Sequence, residues 1–552
     1  MEKNTKKFKR KNYYCGTKNL KGGRGITLIA LVITIIVLLI LAGVTISSLS
    51  GENGILGNAS KAKIKNEEAQ VKEQISLAYS ATIMGDWTGE TGTFKDRFKS
   101  ELEGYLGTGN VTVETDGNGY VVTVEGKGTY TVDENCKIEK IANLPAEWAV
   151  ASSTNNGNEW YAYTDISSET NTPVSVNIPN LVGNMRAIKY TGTTTGSKWA
   201  NAMTSDGSMF VWIPRYAYKI TYTTENSRKA GTIDVAFINE KNEFLNPTKD
   251  TGTITADPTE DGAGTTKWLV HPAFTTNAAN GGGWSKELTG LWVGKFEATG
   301  TCTKDPNNDV TAATISVLPG KSALCSMKIK DQYKFAKTAT FGETETLNSH
   351  MAKNSEWGAM VYLAYSKYGR NGSDVTKQSS GLTTGGTSTV ASIYSTNYGQ
   401  STTNNAYGVY GLRGGAYEYV ASYVNYANNS YLKTNGGETS GDLYGTGTEP
   451  STSTEYKTVY TASGTSESSS YNLLASTNKI RGDAVWETST NYTGTTSWHN
   501  AGDSVYSYFP GTSGPFFGRG GNYINSDAGL FYFSGSNGDS FIGGSFRPVL
   551  AP

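Results

Sequence analysis

Residues Ile26–Ile46 (ITLIALVITIIVLLILAGVTI) run 21 residues without a charge. As a helix rising 1.5 Å per residue they span about 31 Å, the thickness of a bilayer core. Residues 1–25 hold nine Lys/Arg and one acid, Glu2, so the N-terminus is expected in the cytoplasm and the rest of the chain outside. An ordinary secretory signal has a shorter apolar region followed by a small-residue cleavage site. Ala42-Gly43-Val44 is a poor version of that site, and a plain signal anchor is one reading of the segment.

Gly25-Ile26-Thr27-Leu28-Ile29 stands between the basic leader and the apolar run. It resembles the class III signal of type IV pilins and pseudopilins. The resemblance implies a prepilin peptidase that cuts between Gly25 and Ile26, an apolar helix kept on the mature protein, and other pilin subunits as partners. Ala30 occupies the position where that family usually carries Glu. After a Gly-rich interruption at 51–57, Ile64, Val71 and Ala78 recur at seven-residue spacing with Ile75 between them. That spacing predicts an amphipathic helix. Four short strands follow, joined by the turn signals Asp116-Gly-Asn-Gly119 and Gly126-Lys-Gly128.

Composition separates the rest of the chain from several classes. Charged residues are 18%, Gly numbers 65, and 34 Tyr and 11 Trp are present, which suits short strands and polar loops on an aromatic core. A net charge of −1 argues against a nucleic-acid partner bound through a global basic field. Three His and four Cys exclude a zinc-finger array and a disulfide-dense scaffold. Cys302 and Cys325 could close one loop or remain free thiols. The expected organisation is a leader (1–25), a transmembrane and amphipathic helix (26–84), a small antiparallel sheet (85–141), a linker (142–159) and a large domain (160–552) with an exposed low-complexity insertion at 425–480. The fold class is α+β. In the large domain, Phe210–Ile220 and Leu291–Ala298 are expected strands, and Glu356–Tyr368 is an expected helix capped by Ser355 and ended by Gly369.

Five segments of that domain carry a second resemblance, in order along the chain: Gly290–Thr299 (GLWVGKFEAT), Glu356–Tyr365 (EWGAMVYLAY), Gly411–Val420 (GLRGGAYEYV), Arg519-Gly-Gly521 and Ser545-Phe-Arg547. Together they resemble the formylglycine-generating, or sulfatase-modifying factor, family. The resemblance implies an irregular C-type lectin fold. Aerobic members of that family use a cysteine pair near the C-terminus to bind copper. This chain has no Cys after Cys325, and Ser, Asn and Gly cannot make a soft thiolate site. No catalytic residue, metal or cofactor is therefore expected, and Glu297 and Glu356 read as structural acids.

Binding remains. Ala484–Pro552, 69 residues, contains no Lys and only six acids and arginines among Tyr, Phe, Trp, Ser, Gly and Asn. That is the chemistry of a paratope, in which aromatics give area and small polar residues give adaptable hydrogen bonds. Residues 519–550 resemble the variable region of proteins targeted by diversity-generating retroelements. The resemblance implies a variable ligand site at Asn522, Tyr523, Ile524, Asn525, Ser526, Asp527, Ser534, Ser536, Asn537, Asp539, Ser540, Phe541 and Ile542. Asn, Ser, Gly, Asp, Ile, Phe and Tyr all arise from an Asn codon by changing only its adenines. Lys, Glu, Gln, Met and Trp do not, and none occurs between Asn522 and Gly544. The expected protein is a cell-surface or pilus-displayed adhesin, single-pass with its C-terminus outside, binding a protein or glycan on another cell or phage. A structural minor pilin without ligand and an enzyme of the sulfatase-modifying type are the rival readings.

Overall fold

The computed structural model describes residues 55–552 apart from 117–118, 143, 146, 225–228, 344, 386–393, 448–451, 463–467, 470–478, 490–497, 499–506 and 525–527. Gly25, Ile26 and the apolar run to Ile46 lie outside the described residues, and among those described no helix is long and apolar enough to cross a membrane. Contacts divide the chain into residues 1–73 and a larger unit, Gln74–Pro552. The architecture is a mixture of helices and mainly antiparallel sheets.

Helix α1 (Ile55–Thr88) covers the expected amphipathic stretch. Val71, Ile75 and Ala78 are buried, as their helical spacing predicts. A second helix, α2 (Phe94–Leu106), forms where only sheet is expected. Thr93 caps it by accepting the Asp96 N–H, and Phe98 and Leu102, four residues apart, are its buried face. A four-stranded antiparallel meander follows: β1 (Val111–Asp116), β2 (Gly119–Val124), β3 (Gly128–Val132) and β4 (Ile138–Ile141). Asp116 pairs with Gly119, so β1 and β2 meet on either side of the expected turn signal.

The stretch 142–159, expected as a linker, contributes a strand to the large sheet. The Ala142 N–H donates to the Ser205 carbonyl at 2.9 Å, and β5 (Trp148–Val150) pairs with β6 (Arg186–Tyr190). The cause is Trp148, whose ring meets those of Tyr190 and Tyr407 edge-on, each at 5.7 Å. Strands β7 (Asn201–Met203) and β8 (Met209–Pro214) continue that sheet. Pro214 breaks the long aromatic run. Past it, β9 (Tyr216–Thr221) joins a different sheet with β10 (Thr232–Phe237), β11 (Ile254–Thr255) and β12 (Trp268–Val270). Strand β13 (Gly290–Gly294) returns to β8, and β14 (Thr299–Lys304) and β15 (Val310–Ser316) form a separate two-stranded hairpin.

Helix α3 (Ile329–Thr338) and β16 (Ser349–Met351) lead to the central helix α4 (Asn354–Tyr365). It begins before Glu356 and ends short of Gly369. Ser355 does not cap it; its hydroxyl donates to the Gly281 carbonyl, while the Glu356 carboxylate accepts the Lys353 N–H at 2.9 Å. Residues Asn354–Ala364 are all buried, so this is a core helix rather than a one-sided one. The last sheet contains β17 (Tyr417–Asn425), β18 (Thr458–Thr461), β21 (Phe516–Gly521), β22 (Ala528–Ser536) and β23 (Gly544–Phe546), ordered β18-β17-β21-β22 with β23 also on β17. A small pair, β19 (Ser468–Ser469) and β20 (Tyr508–Phe509), stands apart, and β24 (Pro548–Leu550) completes the large sheet in the order β16-β24-β13-β8-β7-β6-β5.

The expected exposed insertion 425–480 is partly core. Helix α5 (Ser430–Gly436) buries Leu432, and Leu443 and Tyr460 are buried too. The Lys457 ammonium donates to the carbonyls of Leu443 and Tyr444 at 3.0 and 3.2 Å, and β18 runs parallel to β17. Polar composition hid this because the apolar residues are few and aperiodic.

Candidate functional site

Strand β17 alternates Tyr417, Glu418 and Tyr419, so the two tyrosines share a face and the glutamate takes the other. On β21 the residue beside Tyr419 is Gly518, and beside Gly518 on β22 is Ser534. Gly518 leaves space for an aromatic ring to cross the strand. A Cβ there would lie 1.7 Å from the Tyr417 ring. With no side chain in the way, the Tyr417 hydroxyl donates to Ser534 Oγ at 2.7 Å, and the Tyr419 hydroxyl lies 2.8 Å from Ser536 Oγ. The two rings meet edge-on at 6.2 Å.

These tyrosines floor a hollow of about 450 Å³. Seven of the thirteen expected ligand residues line it: Asn522, Ser534, Ser536, Asn537, Asp539, Ser540 and Phe541. Tyr523 is half-buried beside them, and Ile524 and Ile542 are exposed. Asn525, Ser526 and Asp527 lie outside the described residues. Sequence reasoning missed Tyr417, Tyr419 and Tyr532, which also line the hollow, while Gly535, another lining residue, falls inside the expected segment Ser534–Ser540. The alternation Tyr-Glu-Tyr at 417–419 is the signal that could have found the floor.

The loop that closes the hollow is held by its backbone. The Ser326 N–H donates to the Phe541 carbonyl at 2.9 Å, the Ile329 N–H to Gly538 at 3.0 Å and the Tyr417 N–H to Gly543 at 2.7 Å. The Tyr523 N–H likewise donates to Gly415 at 3.0 Å. Hydrogen-bond partners from other segments thus fix the main chain, while Asp539, Phe541 and Ile542 are exposed. From behind, the central helix braces the sheet: the Trp357 indole donates to the Leu530 carbonyl at 2.9 Å, and the Arg519 guanidinium lies over its ring at 5.4 Å.

Under the floor lies a buried charge cluster. Arg547 grips both oxygens of Glu418, Nε at 3.1 Å, and donates to the carbonyls of Gly294 and Tyr410 at 2.8 and 2.9 Å. Burial nonetheless pushes the Glu418 carboxyl up to about 8. Burial also raises Glu297, whose Oε1 accepts the Ala416 N–H and whose Oε2 is buried without a partner. Burial and then the Glu297 charge push the Cys325 thiol up to about 12, far from a thiolate at neutral pH. Cys302 and Cys325 are both free. At Glu356, burial raises the carboxyl, but His350 at 3.0 Å and Lys353 at 3.7 Å pull it below its ordinary value. Both acids therefore sit inside the core, away from the hollow. Among the described residues no group of three His, Cys, Asp or Glu stands together as a metal site.

No family model and no curated protein matches this chain. The hollow is thus characterised by its own chemistry: aromatic floor, hydroxyl and amide walls, and a single charged side chain, Asp539.

Proposed function

We propose that this chain is a cell-surface recognition protein whose C-terminal face binds a protein or glycan ligand and is diversified by a retroelement. Residues 26–46 anchor it in the membrane or in a pilus-like fibre, with the large domain outside. That domain is a C-type lectin fold of the sulfatase-modifying kind, used for binding rather than catalysis. One observation supports the reading above the others: seven of the thirteen candidate residues line one hollow whose backbone is fixed from elsewhere and whose side chains can change.

The test of diversification is the locus. A near-copy of the coding sequence for 519–550 should lie beside a reverse transcriptase gene, and sister isolates should differ almost only where that copy has adenine. Differences concentrated on Gly518, Gly538 or Arg547 codons, or a locus without a second copy, would reduce the site to a fixed-specificity adhesin. The anchor is tested by N-terminal mass spectrometry of the membrane fraction. Ile26 is the expected first residue, and an intact leader would leave a signal anchor in place of a pilin.

A further inference from the structure

The C-terminal hollow has a neighbour. A second hollow of about 440 Å³ opens beside it, and Asp539 lines both. Its other walls come from distant parts of the chain: Asn307 and Asn308 at the tip of the β14–β15 hairpin, and Tyr431, Thr434 and Asn435 on α5. Two amides join the hollows. Asn308 Nδ2 donates to Ser540 Oγ, and Asn435 Nδ2 donates to the Asn537 carbonyl at 2.9 Å. Lys328 on the second wall is already matched by Asp309 at 2.6 Å.

Asp539 is different. It is exposed at the junction, its carboxylate accepts the Ser540 N–H at 2.7 Å, and no cation among the described residues pairs with it. An open carboxylate flanked by hydroxyl and amide groups complements a guanidinium, whose planar fork presents five donors. The apolar groups close to it in the chain select what carries it. Phe541, 41% exposed, lines the first hollow with Asp539. Ile542, the next residue, is 77% exposed, and Ile524, two residues past Asn522 of the same hollow, is 69% exposed. Branched aliphatic side chains gain from contact only when an apolar surface displaces their water. The hydroxyls of a sugar would leave them wet.

We propose that the two hollows form one recognition surface, half of it built from constant elements, and that its occupant is a protein segment presenting an arginine to Asp539 between apolar neighbours. The inference rests on the reading of the C-terminal face as a binding face, and it adds the constant half and the class of ligand.

Saturation-transfer NMR on the full chain in detergent tests it, with acetyl-Leu-Arg-Leu-amide and methyl α-glucoside as probes. Saturation should reach the peptide's arginine methylenes and leucine methyls and leave the glycoside dark. Asp539→Asn should weaken peptide binding about tenfold, the scale of one lost charge-assisted hydrogen bond. Tyr431→Ala, remote in sequence and partly exposed, should weaken it by several-fold, as should Phe541→Ser in the first hollow. Each variant is first checked for an unchanged melting curve. Peptide binding that survives Tyr431→Ala but is lost in Phe541→Ser overturns the constant half while leaving the C-terminal face in place. Saturation of the glycoside instead of the peptide overturns the protein class, again with the face intact. Silence of both probes overturns the inference, and the locus then judges the binding face separately.

Discussion

Beneath Tyr417 and Tyr419 the chain places two carboxyls, Glu418 and Glu297, near one arginine, Arg547. Both carboxyls are raised by burial, Glu418 to about 8. A carboxyl raised above its unfolded value binds its proton more tightly in the folded state. Its stabilising contribution is complete below the unfolded value near 4.5 and is lost as pH rises through about 8. Asp374 and Asp483, each raised to about 6 by burial, act in the same sense at lower pH. Chemical denaturation followed from pH 5 to pH 9 should therefore show falling stability. Glu297→Gln should flatten the upper part of that fall by roughly 1–3 kcal/mol, because Glu418 then has Arg547 to itself; an unchanged slope would refute the coupling. The hollow's rim makes a second contrast between neighbours. Ile542 is exposed, so Ile542→Ser should change stability by no more than about 0.5 kcal/mol. Gly538 has φ +76°, and a Cβ there would lie 2.6 Å from the Phe516 ring. Gly538→Ser should cost about 1–3 kcal/mol by the same measurement, and near-equal effects at the two positions would contradict the division into clamped backbone and free side chains.

At the scale of elements, local signals were readable and partnerships were not. The meander β1–β4 and the amphipathic α1 follow from periodicity and turn residues that act within a few positions. The mixed α+β character was legible for the same reason, and seven of the hollow's residues because the C-terminal stretch is compositionally distinct. Strand β5 was not, because three residues carry no period, and Trp148 has meaning only once Tyr190 and Tyr407 are beside it. Likewise α2 has its pattern in Phe94, Phe98 and Leu102, but a charged sequence masks it. Tyr417 and Tyr419 became site residues through Gly518, one strand away and about a hundred positions on, which no window of sequence contains. The Trp148 ring also lies 5.1 Å from the buried Lys295 ammonium, which donates to Asn201 Oδ1 at 2.7 Å. Trp148→Ala should destabilise the protein by about 3–5 kcal/mol in thermal or denaturant unfolding. A loss below about 1 kcal/mol would restore 142–159 to the status of a linker.

For the whole molecule, the decisive feature is where the segment after the hollow goes. Strand β24 is not at an edge: it lies between β16 and β13, with Val549 opposite both His350 and Val293. Phe546, Val549 and Leu550 are fully buried, and Arg547, between them in sequence, is the counter-charge of Glu418. The hollow is consequently formed by a stretch pinned at both ends, by β21 on β17 before it and by β23 and β24 after it. A loop whose side chains are to vary needs that closure, since the cost of a changed residue must not propagate into the core. Removing Ser545–Pro552 would take out an interior strand of the large sheet and leave Glu418 and its neighbour Glu297 without their arginine. Leaving the buried Glu418 carboxyl without its hydrogen-bond donors costs about 1–3 kcal/mol by itself, and the lost strand adds the burial of three apolar side chains. Such a sum approaches the whole stability of a typical domain. The truncated chain should therefore show no cooperative melting transition and should be cut rapidly by protease throughout 160–544, whereas a chain carrying Ile542→Ser should resist as the parent does. Cooperative melting of the truncated chain within a few degrees of the parent would mean that the C-terminal strands are an appendage, and that the hollow is supported from one side only.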